Sequence, residues 1–177
     1  MISRRQFLLG AATGLTYLNS PYAAARLALP NERTLKFYNL HTGEHLSATY
    51  WVEGSYIPDE LTAIDKLMRD HRTGAIENMD KRLLDQLYVL QHKLEDNGIF
   101  HIISGYRSAK SNAHLRKNGD GVAKRSLHMQ GRAVDVRLPS VKLKHLRQAA
   151  LKLRAGGVGY YPKSNFIHLD TGRARFW

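Results

Sequence analysis

The 177-residue chain contains no cysteine. This absence excludes disulfides, and it also excludes thiolates as nucleophiles or as metal ligands. Acidic residues are scarce as well: 15 aspartates and glutamates stand against 27 lysines and arginines, which gives a formal net charge of +12. A charge of this size favours anionic partners such as nucleic acid, anionic lipid or an acidic polymer, but it does not choose among them.

The sequence also lacks an apolar run long enough to cross a bilayer as a helix. Its most apolar N-terminal stretch, from Phe7 to Leu18, follows the pair Arg4 and Arg5 and precedes three alanines that end at Ala25. This order is typical of a twin-arginine export signal with a small-residue cleavage site. A basic N-terminal helix, or a signal kept as an anchor, is the alternative.

An export signal divides the chain into three parts. We expect the signal at 1–25, a linker at 26–32 and one domain at 33–177. The mature chain would then lie in the periplasm of a bacterial envelope, without a transmembrane span. That location disfavours nucleic acid as a partner. The sequence does not indicate an oligomeric state.

Hydrophobic periodicity predicts an α+β domain with helices packed on a mostly antiparallel sheet. The apolar content of 43% is sufficient for an ordinary core. The predicted strands are 34–38, 45–51, 100–104, 133–137, 158–160 and 165–170. The predicted helices are 58–72, 80–96, 111–116 and 141–154, with Ser140 as the cap of the last.

Two histidines and an aspartate in the C-terminal half have the chemistry of a metal site. His128, Asp135 and His168 would give zinc three protein ligands and leave a fourth position for water. If strands 133–137 and 165–170 are neighbours, opposed side chains lie about 5 Å apart at Cβ. Structural histidines and an aspartate paired with arginine would show the same pattern, so the residues alone leave both interpretations open.

Three motifs carry a resemblance to a known family. They are Ser104-Gly105-Tyr106-Arg107-Ser108, the pattern Ser126-x-His128-x-x-Gly131-x-Ala133-x-Asp135, and Phe166-Ile167-His168-Leu169-Asp170. Together they resemble the superfamily of D-Ala-D-Ala carboxypeptidases and murein endopeptidases, which includes the hedgehog signalling domain. The likeness covers roughly 33–177 and is greatest to the exported, murein endopeptidase K-like branch.

The resemblance implies a small α+β domain around one zinc ion, with peptidoglycan peptides as substrate. It makes His128, Asp135 and His168 the zinc ligands. Arg107 matches the arginine that stabilises the oxyanion of the tetrahedral intermediate, which needs a positive donor. A surface arginine or a carboxylate partner is the alternative role for this residue.

Further site residues follow from the same motifs with weaker support. Ser126 and Tyr106 match positions near the substrate, although turn formation and core packing would explain them equally well. Asn112 would either hold the arginine loop or touch the substrate. His101 precedes that loop and is a candidate proton relay.

One position departs from the family pattern. Many peptidases of the superfamily carry a glutamate, acting as general base, three residues before the last histidine ligand, whereas this chain has Asn165. Asp170 lies on the predicted face of His168 and is a candidate for the base. It could equally orient a ligand histidine by a hydrogen bond, and we prefer that role.

These observations predict a zinc-dependent murein endopeptidase that hydrolyses amide bonds in peptidoglycan cross-links during wall remodelling. A D-alanyl carboxypeptidase of the same superfamily is the neighbouring alternative. A non-catalytic, zinc-containing wall-binding module is the alternative from another class, because Asn165 cannot serve as a base. A basic surface-binding protein without metal is a third.

Overall fold

The computed structural model describes residues 31–119 and 122–177. The predicted signal at 1–25, and residues 26–30 of the predicted linker, lie outside this part of the chain. Within the described ranges, no helix combines the length and the apolar character that a membrane span requires.

One sheet of eight strands organises the described residues. In chain order the strands are β1 (Glu32–Asn39), β2 (His45–Val52), β3 (Ser55–Tyr56), β4 (Phe100–Ser104), β5 (Ala133–Arg137), β6 (Gly157–Tyr161), β7 (Phe166–Asp170) and β8 (Arg175–Phe176). Their order in the sheet is β3-β2-β1-β4-β5-β7-β6-β8. Only the β1–β4 and β6–β8 pairs are parallel among these strands, so the prediction of a mostly antiparallel sheet is confirmed.

The helices of the described chain are α1 (Pro58–Leu67), α2 (Lys81–Lys93), α3 (Ala109–Asn118) and α4 (Leu143–Leu153), and a 3₁₀ turn spans Leu127–Gln130. Helices α1, α2 and α4 share one hydrophobic core with the sheet. In β5, the alternating side chains Val134 and Val136 enter this core. Asp135, between them, therefore points to the opposite face of the sheet.

Several predicted helix boundaries are wrong; helix α2, for example, ends at Lys93 rather than near Asp96. Helix α1 ends at Leu67 rather than near Arg72, because the chain turns where Asp70 accepts the backbone N–H groups of Arg72 and Ser108, each at 2.9 Å. Helix α4 begins at Leu143, and its N-cap residue makes no side-chain capping bond. Ser140 is therefore not the cap that we predicted.

Helix α3, which follows the loop of Arg107, differs in length from the prediction. Helix α3 is longer than the predicted 111–116 and starts directly after Arg107 and Ser108. The Ser108 side chain accepts the N–H of Ser111 at 3.2 Å and caps the helix. The cap fixes the backbone beside Arg107, which is one of the candidate site residues.

Candidate metal centre

His128, Asp135 and His168 converge on the face of the sheet opposite the core. Their facing atoms are His128 Nε2, Asp135 Oδ1 and His168 Nδ1. The two nitrogens are 3.2 Å apart, and the carboxylate oxygen lies 3.3 Å from the first and 2.9 Å from the second. These residues form the only group of three or more potential ligands in the described residues whose ligand atoms lie within 4.8 Å of one another.

His128 reaches the centre from the 3₁₀ turn. Ser126 precedes that turn, and its hydroxyl accepts the His128 N–H at 3.4 Å. Gly131 ends the turn with a φ of 62°, and a Cβ at this position would collide with the backbone of Asn78. Glycine is therefore needed for both the left-handed backbone and the close approach. The imidazole Nδ1 donates to the Gly105 carbonyl at 2.7 Å, which turns Nε2 toward the other ligands.

Asp135 and His168 owe their proximity to strand register. β5 and β7 pair antiparallel with these two residues directly opposed, as the sequence predicts if the strands are neighbours. Asp170 lies two residues after His168 on the same face and accepts from its Nε2 at 3.0 Å. The Nδ1 of His168 consequently faces Asp135 and His128.

Asp170 is fully buried and has several donors. Its Oδ1 accepts the backbone N–H groups of Gly157 at 2.9 Å and Gly172 at 2.8 Å, and its Oδ2 accepts Arg175 at 2.7 Å. Burial by itself would raise the pKa of Asp170, but the hydrogen bonds from His168 and Arg175 hold that pKa well below its ordinary value. The carboxylate is therefore charged and fixed beside His168.

Contacts within the centre shift the pKa values of Asp135 and His168 in opposite directions. Burial by itself would raise the pKa of Asp135, but attraction and hydrogen bonding to His128 and His168 keep it well below its ordinary value. For His168, burial works against the charged form, whereas hydrogen bonds to Asp135 and Asp170 raise its pKa overall. Asp135 is thus anionic at any pH near neutrality and could serve as a metal ligand.

This donor set fits zinc. Four-coordinate zinc with ligands at about 2.0–2.1 Å requires ligand atoms roughly 3.3 Å apart, and the separations here are 2.9–3.3 Å. Each imidazole has its second nitrogen hydrogen-bonded, one to a carbonyl and one to a carboxylate, as is usual for histidines bound to a metal. Two neutral imidazoles and one carboxylate leave one tetrahedral position free.

A cleft of about 280 Å³ opens over the three ligands. Arg107 lies in its wall with a mostly buried side chain, 3.7 Å from the Asp135 carboxylate and 3.3 Å from the Ser104 hydroxyl. Burial lowers the pKa of Arg107, while Asp135 opposes that shift. Ser126 also lines the cleft, so the structure brings these two predicted residues to the metal centre.

The other predicted site residues lie elsewhere. Tyr106 packs against the hydrophobic core and does not line the cleft. Asn112 is buried in α3, where its amide donates to the Ala123 carbonyl at 3.1 Å, and so holds the cleft-lining segment that begins at 122. His101 packs edge-on against Tyr38, 5.1 Å between ring centroids, and the structure does not bring it to the three ligands.

Asn165 occupies the turn between β6 and β7. Its φ of 54° is a left-handed conformation that asparagine tolerates better than glutamate does. The turn therefore gives a local reason for the residue found here. Among the described residues that line the cleft, Asp135 is the only carboxylate.

Sequence reasoning missed one wall of the cleft, which is formed by Tyr161, Phe166, Arg175 and Trp177. Tyr161 and Phe166 face each other across the β6–β7 hairpin with stacked rings 4.6 Å apart. Arg175 and Trp177 come from β8 and the residue after it, and two residues are too few for a periodic signal. The aromatic pair flanking a turn was the signal available in the sequence.

Comparison with known proteins agrees with the motif resemblance. The family model described as peptidoglycan L,D-endopeptidase MepK matches residues 28–177. The chain is 45% identical over 177 residues to the protein of that name from Escherichia coli strain K12, covering 99% of this chain and 97% of the relative. It is 43% identical over 169 residues to a probable peptidoglycan L,D-endopeptidase MepK from Haemophilus influenzae, covering 95% and 90%. No solved structure matches the chain.

Proposed function

The chain belongs to the family of peptidoglycan L,D-endopeptidase MepK, and on this premise we propose that it is a zinc-dependent endopeptidase of peptidoglycan peptides. It hydrolyses amide bonds in the cross-links. The observation that carries the proposal is the convergence of His128 Nε2, Asp135 Oδ1 and His168 Nδ1 at the floor of an open cleft. A structural zinc site would be closed by a fourth protein ligand.

Zinc held by these three ligands supplies a Lewis acid that activates water and polarises an amide carbonyl. The protein residues prepare the centre for that chemistry. The Gly105 carbonyl and the Asp170 carboxylate hold the two imidazoles so that one chosen nitrogen of each faces the cleft. Asp170 therefore acts as the orienting carboxylate, because its burial and its four other donors leave it no access to the substrate.

Arg107 stabilises the oxyanion of the tetrahedral intermediate. Its guanidinium lies in the cleft wall beside Asp135, and its buried Nε has no hydrogen-bond partner among residues 31–119 and 122–177. A donor held in a desolvated site before the reaction begins stabilises developing negative charge without a reorganisation cost. Ser126, in the same wall, is placed to contact the substrate beside His128.

The protein acts outside the cytoplasm, in the periplasm, where peptidoglycan lies. The twin-arginine pattern at Arg4 and Arg5, with cleavage near Ala25, provides the route. Residues 1–25 contain two arginines and no acidic residue, so the mature chain would keep a formal net charge of +10, which suits a polymer whose peptides carry carboxylates.

Digestion of purified sacculi tests the function. The mature protein with zinc should release products of cross-link cleavage, and a chelator should abolish their release until zinc is returned. His128→Ala should be inactive, whereas His145→Ala, an exposed histidine of α4, should keep full activity. Loss of terminal D-alanine alone would identify a carboxypeptidase. Binding to sacculi with zinc present but without any product would identify a wall-binding module.

A further inference from the structure

The side chain of Trp177 lies against a metal ligand without being one. Its ring centroid is 5.3 Å from that of His168, and the two rings are tilted by 46°. The backbone of Trp177 makes two hydrogen bonds to β6. Its N–H donates to the Val158 carbonyl at 3.2 Å, and its carbonyl accepts the Tyr160 N–H at 3.1 Å. The backbone that carries the indole is therefore held against a strand of the sheet.

Two neighbours fix the direction of the indole. Its Nε1 donates to the Tyr161 hydroxyl at 2.9 Å. Gly159, which pairs directly with His168 in the register of β6 and β7, leaves the space that the indole occupies. A Cβ at position 159 would lie 2.8 Å from the indole Cε2, closer than real Cβ contacts come. The glycine thus lets Trp177 reach across β6 to the imidazole on β7.

The His128 imidazole also packs edge-on against His168, with 5.0 Å between ring centroids. Asp135 and Asp170 bind the two nitrogens of His168, and hydrogen bonds to ring nitrogens lie near the ring plane. Such bonds resist sliding of the ring but resist tilting weakly. The indole packs against this ring within the cleft that both residues line, and so it opposes the tilt.

We propose that Trp177 is a positioning residue of the metal centre: held by Tyr161 and admitted by Gly159, it keeps His168 in the orientation that binds zinc. The proposal rests on the proposed function only in taking His168 as a zinc ligand. Residues that orient a ligand typically change metal affinity or activity by about 10- to 100-fold when they are replaced. Trp177 belongs to this class, since its contact is with the ligand.

The test measures zinc affinity, by competition with a chromogenic chelator, before any activity is assayed. Trp177→Leu and Gly159→Ala should each weaken zinc binding by about 10-fold, because both remove the indole from His168. Tyr161→Phe removes only the indole hydrogen bond, and Trp177→Phe removes that bond but keeps an aromatic ring beside His168, so each should cost about threefold or less. Because both variants remove the same bond, the double variant should cost no more than Trp177→Phe alone. Phe176→Leu is the matched control, because Phe176 is the adjacent aromatic and is 71% exposed.

A second readout separates positioning from simple stability or substrate contact. In the zinc-loaded protein, Trp177→Leu should lower kcat on a soluble cross-linked muropeptide, whereas a change in KM alone would mean that the indole only contacts substrate. The proposal is overturned if Trp177→Leu binds zinc as tightly as the wild type, or if Phe176→Leu weakens zinc binding as much as Trp177→Leu does. If the wild-type protein binds zinc but leaves sacculi intact, the endopeptidase function is refuted, and the zinc-affinity comparison of the variants still tests the role of Trp177. Protein that binds no zinc would overturn both.

Discussion

At the residue scale, each side chain of the candidate metal centre contacts a further group that orients it. His128 is oriented by a backbone carbonyl, His168 by a buried carboxylate, and Asp135 lies beside the guanidinium of Arg107. The candidate ligand atoms are therefore held in place by two hydrogen bonds and one ion pair of the protein itself. Preorganisation of this kind lowers the cost of binding the metal and of stabilising charge in the reaction.

Replacing Arg107 should separate catalysis from metal binding. Arg107→Met removes the proposed oxyanion donor but none of the proposed zinc ligands, so kcat should fall by about 100- to 1,000-fold while zinc affinity changes little. Steady-state kinetics on a soluble muropeptide and a zinc titration measure the two effects. Arg116→Met, an exposed arginine of α3, is the control. Equal losses of zinc and of activity would instead make Arg107 a structural partner of Asp135.

Replacing Asp170 should act through His168. Asp170→Asn keeps the shape but weakens the acceptor for the Nε2 proton, and zinc affinity should fall by about 10- to 100-fold. Competition with a chelator measures that change, and Asp59→Asn, an exposed carboxylate at the start of α1, serves as control. Unchanged zinc affinity combined with loss of turnover would favour the role of base over the orienting role.

At the scale of elements, the centre depends on connections between parts of the chain that are distant in sequence. Register between β5 and β7 opposes Asp135 and His168, and the 3₁₀ turn brings His128 over them. The turn after α1 holds the start of α3, because Asp70 accepts the Ser108 N–H. The loop that carries Arg107 is thus secured by a carboxylate outside the cleft.

The Asp70 connection predicts a pH-dependent contribution to stability. Burial alone would raise the pKa of Asp70, but hydrogen bonds from Ser108 and from the Arg72 N–H hold it well below its ordinary value. A carboxyl whose pKa is lower in the folded state stabilises above its unfolded pKa of about 4, and that stabilisation is lost as pH falls further. Asp70→Asn should therefore reduce the free energy of unfolding by about 2–3 kcal/mol at pH 7.

Urea unfolding at several pH values measures this effect. The difference between wild type and Asp70→Asn should be constant from pH 7 down to about pH 5 and should narrow at lower pH. Glu77→Gln, an exposed carboxylate nearby, should cost little at any pH. If the difference in the free energy of unfolding stays constant into acid, Asp70→Asn destabilises the protein by disturbing its packing and not by removing a charge.

At the scale of the whole molecule, the three ligands come from residues that lie close only when the domain is folded. His128 and His168 are separated by 40 positions in sequence. An unfolded chain therefore offers no comparable zinc site, and zinc binding must favour the folded state. With the proposed zinc site, metal occupancy should therefore raise global stability.

Thermal unfolding with and without zinc checks this linkage. At a free zinc concentration 100 times the dissociation constant, stabilisation is about 2.7 kcal/mol. For a domain of this size the corresponding rise in Tm is roughly 5–10 °C. His128→Ala should unfold at the same temperature with or without zinc. A zinc-induced rise in that variant would place the metal elsewhere.

The α+β class, most strands and the three ligand candidates could be predicted from the sequence, as could the strand faces of Asp135 and His168, because alternation along a strand is a local property. The errors of prediction were also local: the ends of α1 and α4 depend on hydrogen bonds to Asp70 and on turns without a strong signal. The folded structure was needed to show which nitrogen of each histidine faces the cleft, because the Gly105 carbonyl and the Asp170 carboxylate select it. It was also needed to place Trp177 against His168, because that contact depends on the register of β6 and β7 and on the space beside Gly159. No pattern within one strand encodes contacts of this kind.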